Sequence, residues 1–283
     1  MKSTKPTTRE KNKRENDTRM TQLDILMELR RNKVLQHLEK GKRFSGRGND
    51  EYRSLEVLTN VSENANGSAR VKLGKTDVVA GTKFALGEPY ADSPNEGSIS
   101  VGVELTPLAS PLNEVGPPSP QEVELSRVVD RGIRESHCLD LESFCITPGE
   151  KVLSVYIDIY ALNGDGNMLD ASAMAALVAL NTTRMPKLED GKMVYGEYES
   201  TLLKLANQPL LATFAKIGNT IVADPDLGEE KAMSARFSFG STEKGILTAF
   251  QKGGAGAFTM AELEQAIEIG LKNGKSLRKL LKV

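Results

Sequence analysis

Hydrophobic and polar residues alternate strictly along residues 151–162, and this period of two predicts a β-strand with two unlike faces. Tyr156 and Tyr160 lie on the polar face, opposite a continuous row of aliphatic residues. An Asn-Gly-Asp-Gly turn follows, and residues 169–180 are then apolar on nearly every side of a helix. A helix without a polar face must be buried, so this unit predicts the centre of a folded core.

The rest of the chain predicts further strands and helices in alternating groups. Runs rich in β-branched residues, separated by turn residues, predict strands over residues 68–73, 76–86, 98–105, 210–217, 220–223, 231–239 and 245–251. Apolar residues at helical spacing predict helices over residues 21–39, 119–136, 259–272 and 276–283. Strands followed by helices occur twice, which is typical of an α+β fold built from two similar halves.

The first 20 residues are a separate polar segment. Seven are basic and three are acidic, so the segment carries +4 and the remainder −5 of the net −1 for 283 residues. Such a segment cannot bury enough apolar surface to offset its ordering entropy, which predicts a basic, flexible tail. The tail is either a solvated arm or a contact for a polyanion. The remainder divides into an N-terminal half over residues 21–195 and a C-terminal half over residues 196–283.

Composition excludes several classes of protein. Hydrophobic residues are 39% and charged residues 27%, an ordinary balance for a chain that buries a core. Aromatic residues are 5% and Trp is absent, which disfavours a broad stacking platform for bases. Two cysteines are too few to staple the chain and predict reduced thiols. The longest near-apolar run, residues 171–180, is too short for a bilayer, which takes about 20 residues. We therefore expect a cytoplasmic protein with no membrane partner.

Three arginines on the helix predicted over residues 119–136 are candidates for binding nucleic acid. Ser119 and Glu122 predict a capping box at its start. Arg127, Arg131 and Arg134 recur at i, i+4 and i+7, and so form one stripe opposite the apolar face. The planar guanidinium group suits phosphate oxygens, so this row could follow an RNA backbone. Flanking acids leave a second interpretation open, a solvated face paired within the helix: Glu124, Asp130 and Glu135.

The turn over residues 163–169 has the geometry of an anion site without the charge. A strand that turns into a helix presents free backbone N–H groups and the positive end of the helix dipole. Residues 152–183 contain no Lys or Arg, however, and Asp165 and Asp170 would repel a phosphate.

Four acidic residues lie close together in the C-terminal half: Asp224, Asp226, Glu229 and Glu230. Carboxylates at this spacing could hold Mg²⁺ or act as a general acid. The simpler expectation is an exposed acidic turn between strands. The glycine-rich run over residues 253–256 lacks the spacing of a dinucleotide site.

Five stretches together resemble the RNase PH superfamily, and in particular the non-catalytic ring subunits of archaeal exosomes. The most specific is ELSRVVDRGIRES at residues 124–136. The others are residues 41–53, VELTPLASPLNEVGPP at residues 103–118, the unit over residues 151–180, and QKGGAGAF at residues 251–258. The resemblance implies an α+β RNase PH fold, in which helices pack on mixed or antiparallel sheets in two similar β-α halves.

The resemblance also implies an assembly. This chain would pair with a catalytic RNase PH-like sister subunit, and three such heterodimers would form a hexameric ring beneath a cap of S1, KH or zinc-ribbon subunits. Single-stranded RNA would enter the ring, and phosphorolysis would release nucleoside diphosphates. Mg²⁺ and inorganic phosphate would be used by the complex, and we expect this chain alone to bind no cofactor.

Individual positions acquire roles from the same resemblance. In catalytic relatives a triplet at the strand–turn–helix junction grips inorganic phosphate. The matching residues here are Asn167, Met168 and Leu169, and the last two offer no hydroxyl or cationic group. The catalytic Asp of those relatives is matched by Glu230, which is longer by one methylene group. We therefore expect a degenerate site, with no catalytic residue and no resident metal.

Arg127 and Arg131 match positions at which the family contacts RNA, and Arg134 shares their stripe. The sequence thus predicts a non-catalytic subunit of the exosome 3′→5′ exoribonuclease ring, which binds the RNA backbone and structures the active site of its sister in RNA degradation and processing. The alternative is a chain that is itself an active phosphate-dependent 3′→5′ exoribonuclease, using the acids between residues 224 and 230. A third interpretation is a small-molecule α+β enzyme unrelated to RNA.

Overall fold

The computed structural model describes residues 25, 29 and 31–282 of the chain. The predicted tail over residues 1–20 lies outside the described residues, as does most of the first half of the helix predicted over residues 21–39. Helix α1 is described over residues 31–39. The other helices are α2 (Pro120–Arg134), α3 (Met168–Asn181), α4 (Leu227–Ala232) and α5 (Met260–Leu281). The strands are β1 (Leu55–Thr59), β2 (Gly67–Leu73), β3 (Thr76–Gly87), β4 (Ser98–Leu105), β5 (Cys145–Thr147), β6 (Lys151–Asn163), β7 (Arg184–Glu189), β8 (Lys192–Leu202), β9 (Leu210–Ile217), β10 (Thr220–Ala223), β11 (Ala235–Ser241) and β12 (Leu247–Gly253).

The N-terminal half is built on a mixed sheet of six strands. Their order is β1-β2-β3-β6-β4, with β5 pairing to β6 outside that path. Strands β4 and β6 are parallel, and the other pairs are antiparallel. Strand β6 is the alternating strand of the sequence: Val155 and Ile157 are buried, whereas Tyr156 and Tyr160 are exposed. The prediction of a two-faced strand is confirmed.

Helix α3 lies between the two larger sheets of the molecule. It contacts β2, β3 and β6 on one side and β9 on the other, and residues 168–180 are all buried. A Cβ on Gly67 would clash with the Ala179 carbonyl oxygen, so this glycine lets the helix approach β2 closely. Although α3 is apolar throughout, none of the described helices is both long and apolar enough to cross a membrane.

The C-terminal half is built on an antiparallel sheet in the order β10-β9-β11-β12. The predicted hairpin of β9 and β10 is confirmed at both strands. Helix α5 packs on this sheet through Ala266 and Gly270, and a Cβ on Gly270 would meet the Phe239 ring at 2.5 Å. Val34 and Leu38 of α1 add a further small core. Each half is therefore a sheet with helices packed on it, which confirms the α+β prediction.

The strand predicted over residues 231–239 is wrong at its start. Residues up to Ala232 belong to helix α4, and strand β11 begins only at Ala235. Asp226 caps α4 and Glu229 completes a capping box. The acids interpreted as a turn therefore start a helix, because their side chains satisfy its first N–H groups.

The helix break predicted at Asn273 and Gly274 is also wrong, since α5 continues to Leu281. The Asn273 side-chain amide donates to the Asp50 carbonyl oxygen at 2.7 Å instead of ending the helix. A Cβ at position 274 would lie 2.9 Å from the Arg278 guanidinium, so this glycine serves packing.

Strands β7 and β8 form a separate two-stranded hairpin that the sequence did not predict. Most residues of β8 are exposed, so the strand carries no clear alternation of apolar and polar positions. The predicted boundary between residues 195 and 196 falls within β8.

Candidate functional site

Helix α2 is fixed at its start by hydrogen bonds on both sides of its cap. The Glu122 N–H donates to the Ser119 hydroxyl at 3.3 Å, and the Ser119 N–H donates to a Glu122 carboxylate oxygen at 2.6 Å. The other Glu122 oxygen accepts the Leu105 N–H at 2.7 Å, which ties the helix to the end of β4. The predicted capping box is therefore confirmed. The residues on its buried face are Leu125, Val128, Val129, Gly132 and Ile133.

The structure places the three predicted arginines of α2 on its exposed face, but they differ in what they already bind. Arg127 makes no hydrogen bond or ion pair with the residues that the structure describes. Arg131 donates one long hydrogen bond of 3.4 Å to the Phe250 carbonyl oxygen on β12. Arg134 binds Asp130 at 2.9 and 3.1 Å and also a carbonyl oxygen of β4. The internally paired interpretation thus holds for Arg134, whereas Arg127 and Arg131 keep most of their donors available.

The first turn of α3 is closed by side chains of the chain itself. Asn167 caps the helix from a left-handed backbone conformation with φ of 50°. Its backbone N–H donates to a Glu230 carboxylate oxygen at 2.8 Å. Its side-chain amide donates to Asp170 at 2.9 Å and to Asp224 at 2.8 Å. Three carboxylates therefore surround the positive end of the helix dipole, at the turn matched with the phosphate-gripping triplet.

Met168 and Leu169 line an open cavity of about 370 Å³ beside this turn. Both residues are almost inaccessible, at 8% and 4% exposure. The cavity also receives Asn167 and Glu230, so the structure brings all the predicted degenerate positions together. The three arginines of α2 are not among its lining residues.

Glu230 is the acidic side chain of this cavity that contacts the turn before α3. Burial raises the pKa of Glu230 above its usual range, while the Asn167 N–H and the charge of Arg236 favour the ionised form. The Glu230 carboxyl group therefore lies against the helix end, on a half-buried side chain in the wall of the cavity.

Asp224 is completely buried in a ring of donors. Arg53 binds it through two guanidinium nitrogens, at 2.7 and 2.9 Å, and through its backbone N–H at 2.8 Å. Arg47 adds a contact at 2.9 Å. Burial alone would raise the pKa of Asp224, yet the hydrogen bonds and charge of Arg53 hold it below the usual range. The Arg53 guanidinium also donates to the Asp165 carbonyl oxygen at 2.7 Å, so it links the turn before α3 to Asp224 of the C-terminal half.

Glu229 forms a bidentate pair with Arg43 at 2.6 and 2.7 Å, and neither side chain has any exposed surface. Asp226 caps α4 by accepting the Glu229 N–H at 2.9 Å. The prediction of an exposed acidic turn is therefore wrong. The reason is that Arg43, Arg47 and Arg53 bind Glu229 and Asp224, while Asp226 and Glu230 accept backbone N–H groups.

The acidic cluster does not fit a resident Mg²⁺ ion. Mg²⁺ needs oxygen ligands in near-octahedral geometry, whereas the oxygens of Asp224 and Glu229 already accept guanidinium hydrogen bonds. Within the described part of the chain, no group of three or more His, Cys, Asp or Glu side chains is arranged to hold a metal.

Sequence reasoning missed the residues of both halves that support this site. Tyr52 donates to Asp170 at 2.7 Å, and Thr213 donates to it through its backbone N–H at 3.0 Å and its hydroxyl at 2.7 Å. Burial raises the pKa of Asp170 to about 6. The sequence signal for these supporting residues was the group of basic residues over 41–53. The family resemblance included this stretch, but the sequence indicates no partner for its side chains.

Comparisons with known proteins cover nearly the whole chain. Residues 51–186 match domain 1 of the 3′ exoribonuclease family, RNase PH, and residues 207–273 match domain 2. A protein of Thermococcus kodakarensis named Exosome complex component Rrp42 is 46% identical over 269 residues, which are 93% of this chain and 98% of the relative. The protein of the same name from Methanopyrus kandleri is 43% identical over 262 residues, 92% and 98% of the two chains.

Solved structures give the same result. One, described as the Archaeoglobus fulgidus exosome with RNA bound to the active site, has a TM-score of 0.84 and 41% identity over 90% of this chain and 98% of that one. Another, described as an archaeal exosome core, has a TM-score of 0.81 and 37% identity over 92% and 99% of the two chains. Sequence, domain order and fold agree over almost the full length with exosome complex components, and the chain therefore belongs to the RNase PH family of 3′ exoribonuclease proteins.

Proposed function

We propose that the chain is a non-catalytic subunit of the exosome 3′→5′ exoribonuclease ring, which binds the RNA backbone and structures the active site of a catalytic sister subunit. The observation that carries the proposal is the hydrogen bond of 2.8 Å from the Asn167 N–H to Glu230. An anion that belongs to the chain occupies the helix end at which a phosphorolytic relative holds its phosphate.

Phosphorolysis needs inorganic phosphate as the nucleophile at that turn. In this chain a phosphate would have to displace the Glu230 carboxylate and approach Asp170 and Asp224 against like charge. Met168 and Leu169 would offer it no donor. Misplacement of reacting groups by about 1 Å already costs about 10²-fold in rate. The loss of the whole cradle therefore supports the absence of phosphorolysis by this chain alone.

Arg127 and Arg131 supply the RNA contact in this proposal. Both are exposed, and most of their donors are unused by the described residues. Guanidinium groups bind phosphate oxygens without reading bases, so the contact would position RNA of any sequence. The RNA-bound exosome of Archaeoglobus fulgidus, which has the same fold, supports placing single-stranded RNA in the complex formed by this chain.

The assembly is part of the proposal. The chain pairs with a catalytic RNase PH-like sister, and three pairs form a hexameric ring beneath S1, KH or zinc-ribbon cap subunits. Relatives named as exosome complex components support a complex of this kind. Mg²⁺ and inorganic phosphate act at the site of the sister subunit. The complex degrades and processes RNA in the cytoplasm.

The first test uses the purified chain alone with single-stranded RNA, inorganic phosphate and Mg²⁺. We expect no nucleoside diphosphates, because the phosphate cradle is closed. The ring assembled with the catalytic sister is the positive control. Release of nucleoside diphosphates by the isolated chain would instead identify it as an active phosphorolytic nuclease.

The second test removes the RNA contact. The double variant Arg127→Ala with Arg131→Ala should weaken binding of RNA to the assembled ring by about tenfold or more at moderate salt. Assembly should be intact, because both side chains lie on the exposed face of α2. Unchanged RNA affinity in a correctly assembled ring would contradict the proposal.

A further inference from the structure

We infer that Arg236 is a positioning residue for RNA binding: it holds the Glu124 carboxylate away from Arg127 and Arg131 and so keeps both guanidinium groups available. The inference rests on the proposed RNA-binding role of those two arginines. It assigns a purpose to a contact between α2 and the C-terminal sheet that the family resemblance leaves unexplained.

Glu124 is held from outside its own helix. One carboxylate oxygen accepts a hydrogen bond from Arg236 on β11 at 2.5 Å and another from Gln251 on β12 at 2.9 Å. The two strands are neighbours in the C-terminal sheet. The acid is therefore drawn toward that sheet by two donors, one of them positively charged.

The surroundings of Arg236 are shaped for this contact. Gly253 faces Arg236 in the register of β11 and β12, and a Cβ there would lie only 3.0 Å from a terminal guanidinium nitrogen. The side chain is 16% exposed. Its Nε atom is buried without a hydrogen-bond partner among the described residues. A buried donor without a partner is unfavourable, so the position of the guanidinium follows from binding Glu124 and not from satisfying its own donors.

Without Arg236, Glu124 would have partners on α2 itself. It precedes Arg127 by three residues and Arg131 by seven, so at about 100° per residue it lies within about 60° of both around the helix. Acid–base pairs form readily at i, i+3 and i, i+4 on a helix surface. Such a pair would neutralise a charge that the RNA backbone needs.

Asp130 on the same helix accepts no hydrogen bond from outside α2 among the described residues, and it binds an arginine of the helix. The Asp130 carboxylate binds the guanidinium of Arg134, four residues later, at 2.9 Å. Arg127 has no such bond, although Glu124 stands at an equally suitable spacing. Besides the spacing and the kind of acid, the two pairs differ in that Arg236 and Gln251 donate to Glu124.

A double-mutant cycle in the assembled ring tests the inference. Arg236→Gln should weaken the binding of a fluorescent single-stranded RNA by about two- to fivefold. It should also reduce the slope of log K against log salt by up to about 0.7 for each phosphate that is no longer neutralised. Glu124→Gln should have little effect alone, yet it should restore both affinity and slope when combined with Arg236→Gln.

The cycle separates this role from simpler ones. If Glu124→Gln raises affinity by the same factor in both backgrounds, the two charges act independently and the inference is wrong. If the combined variant is as weak as Arg236→Gln, Arg236 has only a structural role and the inference is again wrong. Gln251→Ala removes the weaker of the two donors to Glu124, so it should reduce RNA affinity by a smaller factor, and adding Glu124→Gln should restore that affinity. The Gln251→Ala variant replaces Arg236→Gln in the cycle if Arg236→Gln fails to fold.

Controls distinguish this inference from the proposed function. Lys216 lies on β9 of the same sheet and pairs with Glu262 of α5 at 2.7 Å, at a burial similar to that of Arg236. Lys216→Gln removes this pair and should leave RNA affinity unchanged. If Arg127→Ala with Arg131→Ala weakens binding but Arg236→Gln does not, only the inference fails. If the double arginine variant has no effect, the proposed RNA contact fails and the role of Arg236 fails with it.

Discussion

The first turn of α3 and the exposed face of α2 present positive charge in opposite ways. At α3 the helix end is covered by Glu230, and the neighbouring Asp224 is bound by Arg47 and Arg53. On α2 two guanidinium groups remain almost without partners among the described residues. Helix α3 is therefore still present at the matched phosphate position, but side chains of the chain itself occupy its first turn. The exposed face of α2 remains available for a ligand.

The largest effect is expected where the charges are buried. We call the first turn of α3, with the acids and arginines packed around it, the closed region. Glu229→Gln leaves the fully buried Arg43 without its counter-charge. We expect the free energy of unfolding to fall by about 3–5 kcal/mol, the usual cost of breaking a buried pair from one side, as measured by chemical denaturation. Glu197→Gln, which removes the exposed pair with Lys187, should cost less than about 1 kcal/mol. Equal losses would show that the closed region does not depend on buried charge.

Lowering the pH should reduce the stability of the closed region. It should leave the charge of Arg127 and Arg131 on the exposed face of α2, the arginine face, unchanged. The folded pKa of Asp224 lies below its unfolded value of about 3.9, so its stabilisation is complete above that pH and is lost as pH falls through the folded pKa. The stability difference between the wild type and Asp224→Asn should therefore shrink between about pH 5 and about pH 2. Urea denaturation across that range measures it, and a constant difference would contradict the prediction.

A smaller change uncovers the helix end alone. Glu230→Ala should lower the free energy of unfolding by about 1–2 kcal/mol, because the Asn167 N–H loses its acceptor. Amide hydrogen exchange at Asn167 should become faster. Glu230→Gln keeps an acceptor oxygen and should lie between the alanine variant and the wild type. Unchanged exchange in Glu230→Ala would mean that the carboxylate does not close the turn.

The smallest effect is expected on the arginine face itself. Arg134→Ala should change RNA affinity by less than about twofold, because Asp130 already binds that guanidinium and an exposed pair of this kind contributes little. Arg127→Ala should weaken binding more than Arg134→Ala in a fluorescence titration at the same salt. A reversed order would mean that pairing within the helix does not decide which arginine binds RNA.

The sequence predicted best where local signals agree. The capping box of Ser119 and Glu122, the alternation along β6 and the apolar character of α3 each specify an element without reference to distant residues. Resemblance then identified positions 167–169 and Glu230 as one site, and the structure brings them together.

The wrong predictions share a different cause. Asp224 and Glu229 were interpreted as exposed because their partners, Arg53 and Arg43, lie 171 and 186 residues earlier in the chain. No local pattern reports such a pairing. Likewise, Gly274 has the sequence signature of a helix end, and only its packing beside Arg278 shows that the helix continues.

The reach of Arg53 has a consequence for how the chain denatures. Its guanidinium binds the turn before α3 in one half and the acid after β10 in the other. If either half opened alone, the other would retain a buried charge without its counter-ion, which is a strongly unfavourable state. We therefore expect the two halves to melt together, as a single cooperative unit, although each is built on its own sheet.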